Sequence, residues 1–402
     1  MSARTLAVLA SLAAACRTAA PLPASTGIPP APPANLGFDS TRLATAAAYL
    51  TAEADSGAFP GAVLAVGRHG RLALLAAVGH YGKGGADDAR PVEPETIYDL
   101  ASLTKVVGLT SACMLLVDEG KLALDAPVQR YLPEFRGDGK EGVTIRHLLT
   151  HSSGLPAWRP LYQEADSRAT ALWVVNTTPL VTPPGKAYVY SDLGAIVLTQ
   201  VVERITGESL DRFLERRVFR PLGMPATRYL PPGPWRERIA PTEQDTSYRH
   251  RLLRGEVHDE NAGRLGGVSG HAGLFSNALD LSRFAAMLLN GGSWDTVQLI
   301  HSETIADFTR RQDVVPGSSR ALGWDTPPDP PESTSSAGTK LSPRAFGHTG
   351  FTGTSLWMDP QQDLFIILLT NRVHPTRANT AILKVRPHVA DLVVAALTHP
   401  EL

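Results

Sequence analysis

The strand-like stretches of this chain lie near its two ends, and that distribution constrains the fold more than any other feature. "GAVLAVGRHGRLALLAAVG" (61–79) reads as two β runs around a Gly-bearing turn. The next comparable stretch is "FGHTGFTGTSLWMDP" (346–360), followed by a "QQD" turn and "LFIILLTN" (364–371). Helical patterns fill the interval: "TIRHLLTHSSGLP" (144–156), "SDLGAIVLTQVVERITG" (191–207), "ESLDRFLERRVFRPLG" (208–223) and "ALDLSRFAAMLLNGG" (278–292), the last opening near Asp280. Two further helices frame the whole, 39–57 and 378–397, the second carrying Pro387 as a kink or break. The economical solution is an α/β (α+β) fold. One antiparallel sheet forms from 38–100 and 345–397, terminal helices flank it, and a helical region of about 101–344 is inserted between its halves. Such an insertion leaves a cleft at the junction, a common place for a binding site. "DTPPDPPESTSSAGTKLSPR" (325–344) reads as an exposed loop.

With 402 residues, 43% hydrophobic and 19% charged, the chain can bury an ample core. A net charge of -1 gives no reason to expect a nucleic-acid partner. The N-terminus offers Arg4, an apolar run from Leu6 to Ala15 too short to span a bilayer, and then "LAAAC" ending at Cys16. This predicts export to the cell envelope, with residues 1–16 a signal whose Cys16 carries a lipid; ordinary cleavage beside Ala15 is the competing reading. The Pro/Ala-rich 17–37 is expected to be a semi-extended tether, and the globular part to run over 38–397. Cys113, within an apolar helix, is a core residue.

Several chemistries lack their signatures. There is no G-x-S-x-G, no H-E-x-x-H and no Walker A sequence, and the 12 histidines show no tight metal-ligand spacing. What stands out is "ASLTKVV" (101–107), leading into "GLTSACMLLVDEG". Residues i and i+3 share a helix face, so Ser102 and Lys105 are within reach of each other. A serine hydroxyl is a weak nucleophile that needs a base. A lysine amine can serve once burial or neighbouring cations lower its pKa. The bland alternative is a helix-capping serine beside a snorkelling lysine. Two further motifs, each occurring once, favour the chemistry. Tyr190 opens "YSD" just before a helix, and His348 opens "HTG" at the start of a late strand.

These segments resemble the serine β-lactamase and penicillin-binding-protein superfamily, in its class C-like branch. The likeness spans roughly Phe38 to Leu397 through "IYDLASLTKV", "LLTHSSGLP", "YSDLGAIVL", "VHDENAGRLGGVSGHAGLFS" and "GHTGFTGTSLWMDP". It is strongest toward penicillin-binding-protein-4B-like carboxypeptidases. The resemblance implies a β-lactamase/transpeptidase-like fold and an acyl-enzyme on Ser102, with Lys105 and Tyr190 sharing the proton traffic. It implies an oxyanion hole from the backbone N–H groups of Ser102 and Phe351, and substrate contacts from Asp192, His348, Thr349 and Gly350. Asp192 stands where Asn is usual, and His348 where Lys is usual. An ionised Asp cannot donate to a substrate carbonyl, and His is cationic only below its pKa. Both departures weaken the case for strong β-lactam hydrolysis.

The expectation is a monomeric serine hydrolase without metal or organic cofactor, acting on small amides such as D-Ala-terminated cell-wall peptides. A broad esterase or weak β-lactamase is the alternative, and an idle penicillin- or peptidoglycan-binding module the second. The membrane would be met only through the lipid. His147, His151, His258, Asp259, Glu260 and His271 are expected to brace loops.

Overall fold

The computed structural model describes residues 25–331 and 334–399. Cys16 and the apolar segment before it lie outside the described residues. Five strands form one antiparallel sheet: β1 (Gly61–Arg68), β2 (Arg71–Gly79), β3 (Phe346–Thr349), β4 (Ser355–Asp359) and β5 (Leu364–Thr370), in the order β3-β4-β5-β1-β2. The sheet therefore closes where the two ends of the chain meet, with Ala62 opposite Thr370 and Arg68 opposite Leu364 on neighbouring strands. Every residue of β1 and β5 is buried, because both faces of the sheet are covered.

The period of two sorts the strand side chains. Ala62, Leu64 and Val66 join Leu364, Ile366 and Leu368 under the terminal helices α1 (Ser40–Ser56) and α5 (Ile382–Ala395). Val63, Ala65, Phe365, Ile367 and Leu369 point the other way, into the core of the inserted region. Helix α1 is opened by the Asp39 carboxylate, which accepts from the Thr41 and Arg42 N–H groups, and stopped at Gly57. Helix α5 continues through Pro387, a turn and a half from its start, where the missing N–H deprives only the Leu383 carbonyl.

In the insertion, Lys105–Thr110 wind as a π-helix that runs into α2 (Ser111–Asp118), whose residues Ser111–Leu116, Cys113 among them, are buried. Helix α3 (Asp192–Thr206) is capped by Ser191, and α4 (Ala278–Leu289) by Asn277, three residues before Asp280. The region is not wholly helical. Tyr98–Asp99, Leu274–Ser276 and Arg228–Tyr229 pair as a small sheet, too short to leave a sequence pattern. Among the described residues no helix is long and apolar enough to cross a membrane.

The described part of the expected tether is docked rather than extended. Ile28 and Leu36 are buried, the Ala31 N–H bonds the Leu72 carbonyl, and Ser25 Oγ reaches Asp280. Apolar side chains at 28 and 36, too sparse to show periodicity, decide this. The folded part thus begins by Ser25, not at Phe38.

Candidate functional site

The three motifs separated in sequence meet in one cleft of about 510 Å³, lined by Ser102, Tyr190, His348, Thr349, Gly350 and Phe351 together with residues that no motif indicated. Ser102 sits in a tight turn ahead of the π-helix. Ala101 before it has a left-handed backbone, φ +46°, unusual for a residue with a side chain, and Asp99 Oδ1 holds the Ala101 N–H at 2.8 Å. That turn is stitched to the loop after β3: Thr352 Oγ1 donates to the Asp99 carbonyl at 2.7 Å and Thr354 Oγ1 to the Leu100 carbonyl at 3.0 Å. Gly350 is needed at this junction, since a Cβ there would lie 2.3 Å from the Leu100 carbonyl oxygen.

The stitching leaves some backbone donors free, those of Ser102 and Phe351 among them. Around Ser102, the N–H groups of Leu100, Ala101, Leu103, Thr104 and Lys105 are all spent on acceptors, and so are those of Gly350 and Gly353 around Phe351. Among the described residues, the N–H groups of Ser102 and Phe351 have no acceptor.

Lys105 is buried, and its Nζ makes three contacts: Ser102 Oγ at 3.0 Å, the His271 carbonyl at 3.0 Å and Asp192 Oδ1 at 2.7 Å. It also lies 4.9 Å from the centre of the Tyr190 ring. Burial is the largest influence and would lower its pKa. Asp192 and Tyr190 together outweigh burial and hold Lys105 above the ordinary lysine value. Lys105 is therefore an ammonium at rest, where the sequence suggested an amine with a depressed pKa. Asp192, expected among the substrate contacts, turns its carboxylate to Lys105. It begins α3, and the helix start aims it inward.

Tyr190 is positioned by His151. Its ring packs on the His151 ring with centroids 4.6 Å apart, and the Ser191 N–H donates to His151 Nδ1 at 3.1 Å. His147 completes a capping box with Thr144 at the start of the short helix Ile145–Leu149. His151 falls just past that helix, in a left-handed conformation. His258, Asp259, Glu260 and His271 are linked as loop braces: His258 Nε2 to Glu243 at 2.8 Å, Asp259 to His271 at 2.8 Å and Glu260 to Arg377 at 3.0 Å.

His348 differs from its expected role. It is buried, Nδ1 lies 2.7 Å from the Thr349 carbonyl, and Nε2 has no partner among the described residues. Burial first, then the charges of Arg320 and Lys105, push it well below the usual histidine range. It is a neutral ring at physiological pH and cannot supply a cation to a carboxylate. Four arginines that carry no sequence motif line the same cleft: Arg320, Arg372, Arg377 and Arg386. Arg320 is buried, gives Nε and Nη2 to the Tyr188 hydroxyl at 3.1 and 2.8 Å, and leaves Nη1 without a partner among the described residues. Its nearest carboxylate, Asp325, is 3.9 Å away. Among the described residues no group of three His, Cys, Asp or Glu side chains is arranged to hold a metal ion.

The family model described as Beta-lactamase matches residues 46–389. This chain belongs to the beta-lactamase family. Within it, the "Putative D-alanyl-D-alanine carboxypeptidase" of Salmonella agona (strain SL483) is 35% identical, over 89% of this chain and 88% of that one, and the protein of the same name from Salmonella typhi matches equally. Among solved structures, the hydrolase EstCE1, described as having promiscuous acyltransferase activity, superposes with a TM-score of 0.70 at 23% identity, covering 88% of this chain and 99% of that one. A penicillin-binding protein homolog from Caulobacter crescentus gives 0.69 at 22% identity, covering 89% and 98%. The β-lactamase/transpeptidase-like fold read from the sequence is thus the fold of the molecule, and the beta-lactamase family is a family of hydrolases.

Proposed function

We propose that the protein is a serine hydrolase that forms an acyl-enzyme on Ser102 and releases the terminal residue of D-Ala-D-Ala-type peptides. The observation that carries the serine chemistry is the contact of Lys105 Nζ with Ser102 Oγ, in a cleft lined by Ser102 and Phe351, whose backbone N–H groups are unspent. In this reading, Ser102 Oγ attacks the substrate carbonyl and passes its proton to the Lys105–Tyr190 pair. The carbonyl oxygen gains negative charge and takes the N–H groups of Ser102 and Phe351, donors already in place. The proton then goes to the leaving amine. Water enters, loses its proton to the same pair, and frees the acyl group. The three contacts of Lys105 suit this traffic. A neutral amine could give its two N–H bonds to His271 and Asp192 and accept from the serine hydroxyl.

A free C-terminal carboxylate is what distinguishes a carboxypeptidase substrate from an ester. Arg320 supports that choice, because its guanidinium belongs to a cleft also lined by Ser102 and Thr349 and has no carboxylate nearer than Asp325 at 3.9 Å. The esterase reading is favoured by a different observation: Phe351, Ile382 and Leu383 add an apolar wall to the cleft. Turnover of a D-Ala-D-Ala peptide, a short nitrophenyl ester and a cephalosporin, run in parallel, separates them; a carboxypeptidase cleaves the first. Ser102→Ala should abolish covalent labelling by a fluorophosphonate while the circular dichroism spectrum is kept. Undiminished labelling of that variant would overturn the assignment of the nucleophile.

A further inference from the structure

Arg386 lies on α5, 36 residues past Gly350, yet its guanidinium reaches the turn that follows β3. Nη2 donates to the Gly350 carbonyl at 2.5 Å and to the Thr354 carbonyl at 2.8 Å. The side chain is buried, at 7% exposure, and among the described residues no carboxylate pairs with it. Burial, followed by the nearby charge of Arg372, lowers it to about 9. Arg372 grips the next carbonyl of the same turn: its Nε donates to Phe351 O at 2.8 Å, and its Nη1 to the carbonyls of Arg377 and Asn379. It too has no carboxylate partner among the described residues. Both carbonyls that bracket Phe351 are thus held by guanidinium groups.

A buried cation without a counter-ion is costly, and a bridging role alone could be filled by a neutral amide. What a cation adds is polarisation. The C=O of residue 350 and the N–H of residue 351 belong to one peptide unit whose oxygen and nitrogen share a resonance system. A positive charge on the oxygen draws electron density from the nitrogen and makes the N–H a stronger donor. We infer that Arg386 is a positioning residue for the Phe351 N–H, fixing the Gly350–Phe351 peptide plane toward Ser102 and strengthening its donor, with Arg372 locking the following peptide. This deepens the reading given above and rests on the Phe351 N–H being an oxyanion donor.

Three measurements on the whole protein test it. Arg386→Met should lower kcat for the nitrophenyl ester at least tenfold with little change in KM, and should weaken a boronic acid that forms a tetrahedral adduct on Ser102 by a similar factor. Arg386→Lys, which keeps the charge, should retain part of both. In protein labelled with 15N-phenylalanine, the Phe351 amide proton should move upfield in Arg386→Met. That last reading does not depend on turnover. A folded Arg386→Met protein with unchanged kcat, unchanged boronate affinity and an unmoved Phe351 amide would overturn the inference and leave Arg386 as a tie between α5 and the sheet. If Arg386→Met does not fold, Arg386→Gln, a neutral amide that can still bridge the two carbonyls, carries the same tests, with wild-type values overturning the inference. If the Phe351 amide moves in Arg386→Met but the wild-type boronate does not bond Ser102, the polarisation stands and the acyl-enzyme reading fails instead.

Discussion

At the scale of single residues, the Lys105–Asp192 pair sets the chemistry. A carboxylate 2.7 Å from a buried ammonium holds the proton on the lysine, so the free base is scarce at neutral pH. The wild-type kcat/KM should therefore climb with pH into the alkaline range. Asp192→Asn removes the charge and leaves burial, the largest influence, to pull Lys105 down. The ascending limb should move to lower pH by about one unit or more. A pH profile of kcat/KM for a neutral ester decides this. A limb that stays in place would make Tyr190, not Lys105, the group that takes the serine proton. Specificity is a second single-residue question. Arg320 stays charged across the working range and His348 stays neutral, so the ratio of kcat/KM for a D-Ala-D-Ala peptide over a neutral ester should be flat from pH 5 to 9. Arg320→Met should lower that ratio by about tenfold to a hundredfold, since a charge-assisted hydrogen bond contributes about 1.5–3 kcal/mol. A ratio unmoved by this change would remove Arg320 from carboxylate recognition. Ser102, Lys105 and Tyr190 could be picked out in the sequence because local spacing and single-occurrence motifs mark them. Arg320, Arg372 and Arg386 could not, because their meaning lies in what they touch across the fold, and 31 arginines offer no local reason to choose these.

At the scale of elements, the helix starts and stops were legible where a capping residue marks them, as at Asp39, Ser191 and Gly57. The sheet was legible because its strands are long and apolar. Residues 25–37 were misread as a tether because two buried apolar side chains make no periodic signal, and the backbone pairing with Leu72 depends on a partner elsewhere in the chain. The same limit applies to the junction between β3 and the Ser102 turn. "HTG" announces a glycine, but only the packing shows that Gly350 lies against the Leu100 carbonyl with no room for a methyl group. Gly350→Ala should therefore destabilise the fold by about 1–3 kcal/mol, the usual cost of overpacking. It should also lower kcat, since the shifted turn carries the Phe351 N–H. Urea midpoints at constant m-value measure the first effect. An unchanged midpoint would mean that the two loops yield without strain.

At the scale of the whole molecule, buried titratable groups couple the site to stability. His151 and His348 are held neutral well below the usual histidine range, first by burial and then by the charge of Arg320, and His147 and His374 are lowered by burial as well. In the unfolded chain all four take a proton near pH 6.5, so as pH falls through that value the unfolded state binds more protons and the folded state loses stability. Asp280 opposes them. Burial raises it to about 6 despite hydrogen bonds from Ser25, Thr227 and the Ala226 N–H, so it gains a folded-state proton between about pH 6 and 3.8, and this favours folding as pH falls. Histidines outnumber it, and the net slope between pH 4.5 and 6.5 should run toward lower stability in acid. Below about 4.5, Glu243 adds to the loss. Its carboxylate is held down to about 2 by His258 and Arg377 against the opposing effect of burial, and its contribution disappears as it protonates. Each titrating group is worth at most about 1.4 kcal/mol per pH unit. His348→Asn, which keeps a polar side chain that cannot take the proton, should flatten the slope of unfolding free energy between pH 4.5 and 6.5 by up to that amount. Asp280→Asn should steepen it, because one opposing proton is gone, although Asp99, also raised by burial, still opposes. Urea denaturation at half-unit pH steps measures both. The proposed charge states of the cleft would be wrong if His348→Asn left the slope as it was.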